Sequence, residues 1–238
     1  MRVVERPSPN HDERPSAVDM LVLHYTGMQT AEEALARLRD PAAKVSAHYT
    51  VDRDGTVYAH VPEERRAWHA GVSFWAGRTS VNDFSIGIEL VNPGHELGYV
   101  PYTEEQIERL IDLCREIMAR HPIPPERVLA HSDVAPARKA DPGELFPWQR
   151  LAEAGIGVWP SIESPPCGEV EALEALRVGG GAQDFAALLS RFGYGVPPHL
   201  DVPLEAVITA FQRHFRPSCV DGVADAECAG VLARLLAR

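Results

Sequence analysis

Cysteine is scarce in this chain of 238 residues, and basic charge is outnumbered. The four cysteines, Cys114, Cys167, Cys219 and Cys228, form no C-x-x-C pair, which excludes a zinc ribbon and a thioredoxin-type motif. Cys114 falls in a helical pattern and reads as a small buried hydrophobe. Spacing permits a Cys219–Cys228 bridge, but with no export signal in the sequence the expectation is free thiols in a reducing cytosol. No apolar run approaches the ~20 residues of a membrane helix, so no membrane insertion is expected. Lys and Arg number 23 against 34 Asp and Glu, a net charge of −11. Split at residue 168, both parts of the chain are acidic, which leaves no polybasic footprint for nucleic acid or an anionic membrane. Residues 1–17 are polar and rich in proline and charge, with no apolar core of a signal peptide and no lipidation cysteine. They read as a flexible or draped arm. The expected location is therefore cytoplasmic, with a periplasmic one as the alternative if an export segment lies upstream.

What is present is a regular alternation of strand and helix signals. DMLVLH (19–24) is a short apolar run that reads as a buried strand ending at His24. Thr30 with Glu33 predicts a capping box, and AEEALARLRD after it a helix that stops before Pro41. SAHYTVDRDGTVYAHV holds two β-rich runs around Asp54-Gly55, a hairpin signal. FSIGIELV (84–91) reads as a strand and VLAHSD (128–133) as a last short one. Residues 103–120 carry an apolar stripe of Ile107, Leu110, Ile111, Leu113, Cys114, Ile117 and Met118, with Thr103 and Gln106 as a capping box. The predicted fold class is α/β, a mixed central β-sheet flanked by helices, because the hairpin excludes a wholly parallel sheet. The predicted boundaries are an arm over 1–17, a catalytic domain over 18–154, a Pro- and Gly-rich linker over 155–168 and a small helical bundle over 169–238. Helical spacing in the last part covers 169–177, 182–192, 203–214 and 225–237.

His24, in LVLHYTG, and His131 and Asp141, in AHSDVAPARKADPG, are the residues most suited to chemistry. Two imidazoles and a carboxylate give three protein ligands, the number a catalytic zinc takes while keeping one position open. Such a site also needs a general base and a group that stabilises an oxyanion. Glu89 is a carboxylate inside the apolar strand SIGIELV, where burial raises its affinity for a proton. Lys139 lies two residues before Asp141 and offers a cation beside the metal. Spacing alone does not bring His24 to His131. His48 and Tyr49 sit in the hairpin and read as structural, and His60, His95, His121, His199 and His214 as surface or satisfied core residues.

LVLHYTG, SAHYTVDRDGTVY, AWHAG, NDFSIGIELVN and AHSDVAPARKADPGELFPW follow one another in an order that resembles the zinc-dependent N-acetylmuramoyl-L-alanine amidases of bacteria and phages, relatives of the peptidoglycan recognition proteins. The resemblance spans residues 17–151. It implies one Zn2+ held by His24, His131 and Asp141, with Glu89 and Lys139 as the catalytic pair. It also implies cleavage of the amide between the lactyl group of N-acetylmuramic acid and L-alanine. His69 in AWHAG, Trp75 and Asn82 are the expected substrate-binding residues of the groove. Residues 169–238, with an AFQ helix, a DG turn and a last helix, resemble a peptidoglycan-binding helical domain, although the usual threonine is missing near Ala226–Cys228. That order of parts resembles the lipoprotein-type branch of the family. The expected partners are peptidoglycan fragments, and the expected role is cytosolic recycling of muropeptides, including 1,6-anhydro forms. The alternatives are an envelope lytic amidase acting on intact peptidoglycan and a non-catalytic peptidoglycan-binding protein. The second of these is disfavoured because all five chemical positions are filled.

Overall fold

The computed structural model describes residues 3–160, 181–197 and 201–238. The expected linker beyond residue 160, the expected helix over 169–177, Cys167 and His199 lie outside them. Ten strands are described. They are β1 (Val3–Glu5), β2 (His11–Glu13), β3 (Met20–Tyr25), β4 (Tyr49–Val51), β5 (Val57–Ala59), β6 (Arg65–Ala67), β7 (Phe74–Trp75), β8 (Arg78–Thr79), β9 (Ser85–Leu90) and β10 (Val128–Ala130). The helices are α1 (Ala31–Arg39), α2 (Gly94–Leu97), α3 (Glu104–Arg120), α4 (His131–Val134) and α5 (Trp148–Glu153), followed by α6 (Gly181–Phe192), α7 (Leu204–Phe215) and α8 (Ala226–Leu236).

Six strands form one sheet in the order β1-β5-β4-β9-β3-β10, and only the β4–β5 hairpin is antiparallel. The mixed sheet expected from Asp54-Gly55 is thus present, with Gly55 at φ +80° in the turn. Strand β3 is apolar from Met20 to Leu23 because it is covered on both faces. Side chains alternate across it. Leu21 and Leu23 pack with Ile86, Ile88, Leu110, Leu113 and Ile117, the stripe of α3. Met20 and Val22 pack with Leu129, Phe185, Leu189, Phe211 and Leu232. The second face of the sheet is therefore covered by the C-terminal helices, which share one core with it.

Local chemistry explains the helix ends. Thr30 and Glu33 form the reciprocal capping box of α1. Thr103 caps α3 by accepting from the Gln106 amide, but Gln106 does not reciprocate. Its Nε2 donates to the carbonyls of Val51 and Val91 instead, tying α3 to the ends of β4 and β9. The run VLAHSD is strand only to Ala130. Asp133 Oδ2 accepts the Ala130 N–H at 2.7 Å, and that bond turns the chain into α4 at His131.

Residues 3–14 lie along the domain and are bonded to it. Strand β1 pairs with β5 at the sheet edge and β2 with β6. Ser8 Oγ donates to the Leu38 carbonyl, Asn10 Nδ2 to those of Asp40 and Val45, and Arg14 to those of Glu63, Asn82, Asp83 and Arg65. Polar side chains bind backbone carbonyls here, so no apolar periodicity marked the segment. Cys114, Cys219 and Cys228 are unbridged.

Candidate metal centre and active-site cleft

Parallel strands end together, and the site sits at the carboxyl ends of three adjacent ones. In register, His24 of β3 pairs with Glu89 of β9, and Leu23 pairs with Ala130 of β10. His131 follows Ala130, so Glu89, His24 and His131 form a row across β9, β3 and β10. The row joins residues 65 and 107 positions away from His24, which is why spacing could not reveal it. Asp141 is brought in by a loop whose carbonyl accepts the Ser132 N–H at 3.0 Å. Tyr99 and Tyr102 fix that loop by donating their hydroxyls to the Pro142 carbonyl at 2.6 and 2.7 Å. Gly143 is required beside them, since a Cβ there would lie 2.5 Å from the Tyr99 hydroxyl.

His24 Nδ1, His131 Nδ1 and Asp141 Oδ2 face one another at 2.8 to 3.1 Å, all three residues being buried. Burial, and then the neighbouring His131, push the His24 imidazole down to about 4. It is therefore neutral at pH 7, with a lone pair to offer. Burial opposes the Asp141 charge, but His131 and His24 hold its carboxyl well below the usual carboxylate range. Two imidazole nitrogens and one carboxylate oxygen are the donor chemistry of a zinc site, and the three residues fit such an ion. The far nitrogens are also engaged. His131 Nε2 lies 3.2 Å from the Ala70 carbonyl and His24 Nε2 lies 3.0 Å from His69 Nδ1.

The centre opens into a cleft of about 380 Å³. Glu89, Lys139, His69, Arg37, Arg138 and His95 are among the residues on its walls. Glu89 Oε2 is buried and has no hydrogen-bond partner among the described residues. Burial raises the Glu89 carboxyl well above its ordinary value, the Asp141 charge raises it further, and Lys139 opposes both.

Three residues expected to bind substrate are placed differently from one another. His69 lines the cleft but is only 8% exposed. Asn82 does not line it: its Oδ1 accepts the backbone N–H groups of His69 and Ala70 at 3.2 and 2.8 Å. Trp75 is 2% exposed and packs edge-on against Phe192 and Tyr194, so it belongs to the core under the helical part. An AWHAG-to-NDF loop full of polar and aromatic residues gave no sign of which ones face inward.

Other residues escaped the sequence reading. His95 lies on the cleft wall, bonded to Tyr25 and Glu144. Asp133, two residues after His131, is fully buried and accepts from Tyr194 at 2.6 Å and His214 Nδ1 at 2.7 Å, both from the C-terminal part. Asp133 is a carboxylate in a wholly buried segment, Val128–Val134, whose sequence mixes apolar with polar residues and so does not set it apart.

The profile of the N-acetylmuramoyl-L-alanine amidase family matches residues 14–144 of the chain. The N-acetylmuramoyl-L-alanine amidase AmiD of Escherichia coli is 41% identical over 257 residues, covering 98% of this chain and 90% of that protein. Its solved complex with anhydro-N-acetylmuramic acid-L-Ala-D-γ-Glu-L-Lys superposes with a TM-score of 0.79 at 40% identity, over 92% of this chain and 88% of that one. AmpDh3 from Pseudomonas aeruginosa in complex with an anhydromuramic pentapeptide gives a TM-score of 0.79 at 35% identity, over 94% and 92%. The 1,6-anhydro-N-acetylmuramyl-L-alanine amidase AmpD of Enterobacter cloacae is 39% identical over 164 residues, 61% of this chain and 86% of that protein. The chain belongs to the N-acetylmuramoyl-L-alanine amidase family and is a hydrolase of the amide that joins N-acetylmuramic acid to the L-alanine of a peptidoglycan stem.

Proposed function

We propose that this chain is a zinc amidase of soluble muropeptides, with 1,6-anhydro forms among its substrates. The observation that carries the reading is the unpartnered Oε2 of Glu89, buried in the same row as His24 and His131. A buried carboxyl with a raised affinity for a proton and an unpartnered oxygen is suited to take up a proton and give it back. Anhydromuramic peptides occupy the solved complexes of AmiD and AmpDh3, which supports the substrate class.

His24, His131 and Asp141 would hold the ion. Bound there, zinc would polarise the scissile carbonyl and make a water acidic near neutral pH. Glu89 Oε2 takes the proton of the attacking water and returns it to the leaving amine of L-alanine. Without that return an amide would expel a strongly basic amide anion, so one carboxyl serves both halves of the reaction. Lys139 faces the charge that develops on the carbonyl oxygen. Arg37 and Arg138 on the cleft walls give an acidic protein a local cationic lining for stem-peptide carboxylates.

The test is mass spectrometry of the products from anhydro-muramoyl-tripeptide, with zinc-loaded and chelator-treated protein. Release of the free tripeptide by the zinc-loaded protein alone is the expected result. Peptide release that survives the chelator would refute the metal assignment, and lysis of sacculi without action on the soluble substrate would refute the substrate class. Among the described residues no helix is long and apolar enough to cross a membrane. Cytosolic recycling is the compartment proposed with this substrate, and recovery of the native protein with the envelope fraction would move the same chemistry to wall turnover.

A further inference from the structure

We infer that His69 is a positioning residue of the metal centre, which holds His24 in the ring form that presents Nδ1 to the ion. The inference rests on the zinc reading above and assigns His69 a task other than touching substrate.

The assignment follows from where each hydrogen must go. Ser85 Oγ lies 2.7 Å from the Val81 carbonyl, which can only accept, so the hydroxyl hydrogen is committed there. Ser85 Oγ then accepts from His69 Nε2, 3.1 Å away. A neutral His69 that carries its hydrogen on Nε2 has a lone pair on Nδ1. That lone pair faces His24 Nε2 at 3.0 Å, so His24 is the donor. His24 must therefore carry its hydrogen on Nε2, and its Nδ1 lone pair points at His131 and Asp141. The chain of donors runs outward from the centre and ends on a backbone carbonyl.

The same loop orients the second imidazole. Ala70, next to His69, offers its carbonyl to His131 Nε2 at 3.2 Å. Asn82 Oδ1 holds the N–H groups of both His69 and Ala70, so a single side chain pins the outer partners of both histidine ligands. The His69 ring is also wedged in place. It lies against the backbone of Gly87 in β9, where an added Cβ would come within 2.4 Å of His69 Cγ. With both ring nitrogens engaged inside the protein and 8% of the residue exposed, the His69 side chain has no free ring nitrogen for a ligand.

Outer partners of metal-bound histidines typically change metal affinity or activity by ~10–100-fold when removed. His69→Phe keeps the ring volume and deletes the acceptor. His69→Asn places a side-chain carbonyl near the position of Nδ1. Zinc affinity, measured by competition with a chromogenic chelator and without substrate, is expected to fall ~10–100-fold in His69→Phe and to be largely restored in His69→Asn. Gly87→Ala, which displaces the ring, is expected to follow His69→Phe. An unchanged zinc affinity in His69→Phe together with a raised KM would overturn the inference and return His69 to substrate contact. Long-range proton–nitrogen spectra of the zinc-free wild type give a second reading that needs no variant. Nε2–H on His24 supports the assignment, and Nδ1–H overturns it even if His69→Phe does not fold. Both readings omit substrate, so they can fail while the product analysis succeeds, and the reverse.

Discussion

Glu89→Gln is expected to lower kcat by ~10²–10⁴-fold, the usual contribution of a general acid–base group, while zinc remains bound. The substitution keeps the shape of a side chain that lies among β9, β3 and the cleft, and removes only its capacity to take and return a proton. Glu89 is not among the three converging ligand atoms, so the metal content should be unchanged. The same variant should be more stable than the wild type in metal-free form at neutral pH. Burial, then Asp141, raises the Glu89 carboxyl well above its ordinary value, so the folded state resists its ionisation. Such a group leaves stability unaffected below the unfolded-state pKa and lowers it as pH rises toward the folded one. Glutamine removes that cost, so the melting temperature should rise most on the neutral side. A loss of turnover joined to a gain in stability is the signature of a buried functional group. Near-full turnover in Glu89→Gln would sink the assignment, and loss of zinc would point to a ligand role instead. Measurements of kcat, bound metal and melting temperature on one preparation separate these outcomes.

The elements built on apolar periodicity were legible in the sequence: β3, β9, the β4–β5 hairpin and α3 lie where the patterns put them, within a residue or two. Their chemistry was partly legible, because a histidine at a strand end and a carboxylate inside an apolar strand are each conspicuous alone. The row of Glu89, His24 and His131 was not, since strand order in a sheet is a long-range property that no local pattern encodes. What the sequence hid follows a common cause. Arg14, Asn10 and Ser8 fasten the N-terminal segment through side-chain donors to backbone carbonyls, and Gln106 spends its amide on two strands rather than on its own helix. Such bonds have no period. Trp75 and His95 exchanged their expected surroundings for a similar reason. Which face of a short loop meets the helical part, and which meets the cleft, is set by packing between segments far apart in the chain.

His214→Phe is expected to destabilise the protein by about 3 kcal/mol, the upper end of what leaving a buried carboxyl short of a hydrogen-bond donor costs. For a chain of this size that corresponds to a fall in melting temperature of about 6–12 °C. The ring of His214 is stacked between Trp148 and Phe215, with centroids at 3.7 and 3.8 Å, so phenylalanine preserves the packing. What it deletes is the Nδ1 donor to Asp133, a carboxylate with 0% exposure that keeps, among the described residues, the Ala130 N–H and the Tyr194 hydroxyl. Asp133 shares the single turn of α4 with His131, so loosening it should also weaken zinc binding. This chain of contacts makes the C-terminal helices part of the catalytic fold. Removing residues 161–238 would strip both outer donors from Asp133 and expose Met20, Val22 and Leu129 on one face of the sheet, with Val134 of α4 beside them. Each such buried side chain contributes about 1.5–3 kcal/mol, a loss that exceeds ordinary net stability when several go together. The truncated chain should therefore aggregate. A truncated chain that is soluble and retains zinc, with a His214→Phe variant that melts like the wild type, would instead make the helices an independent module, and binding of the isolated helices to sacculi would then give them the wall-binding role that their sequence resembles.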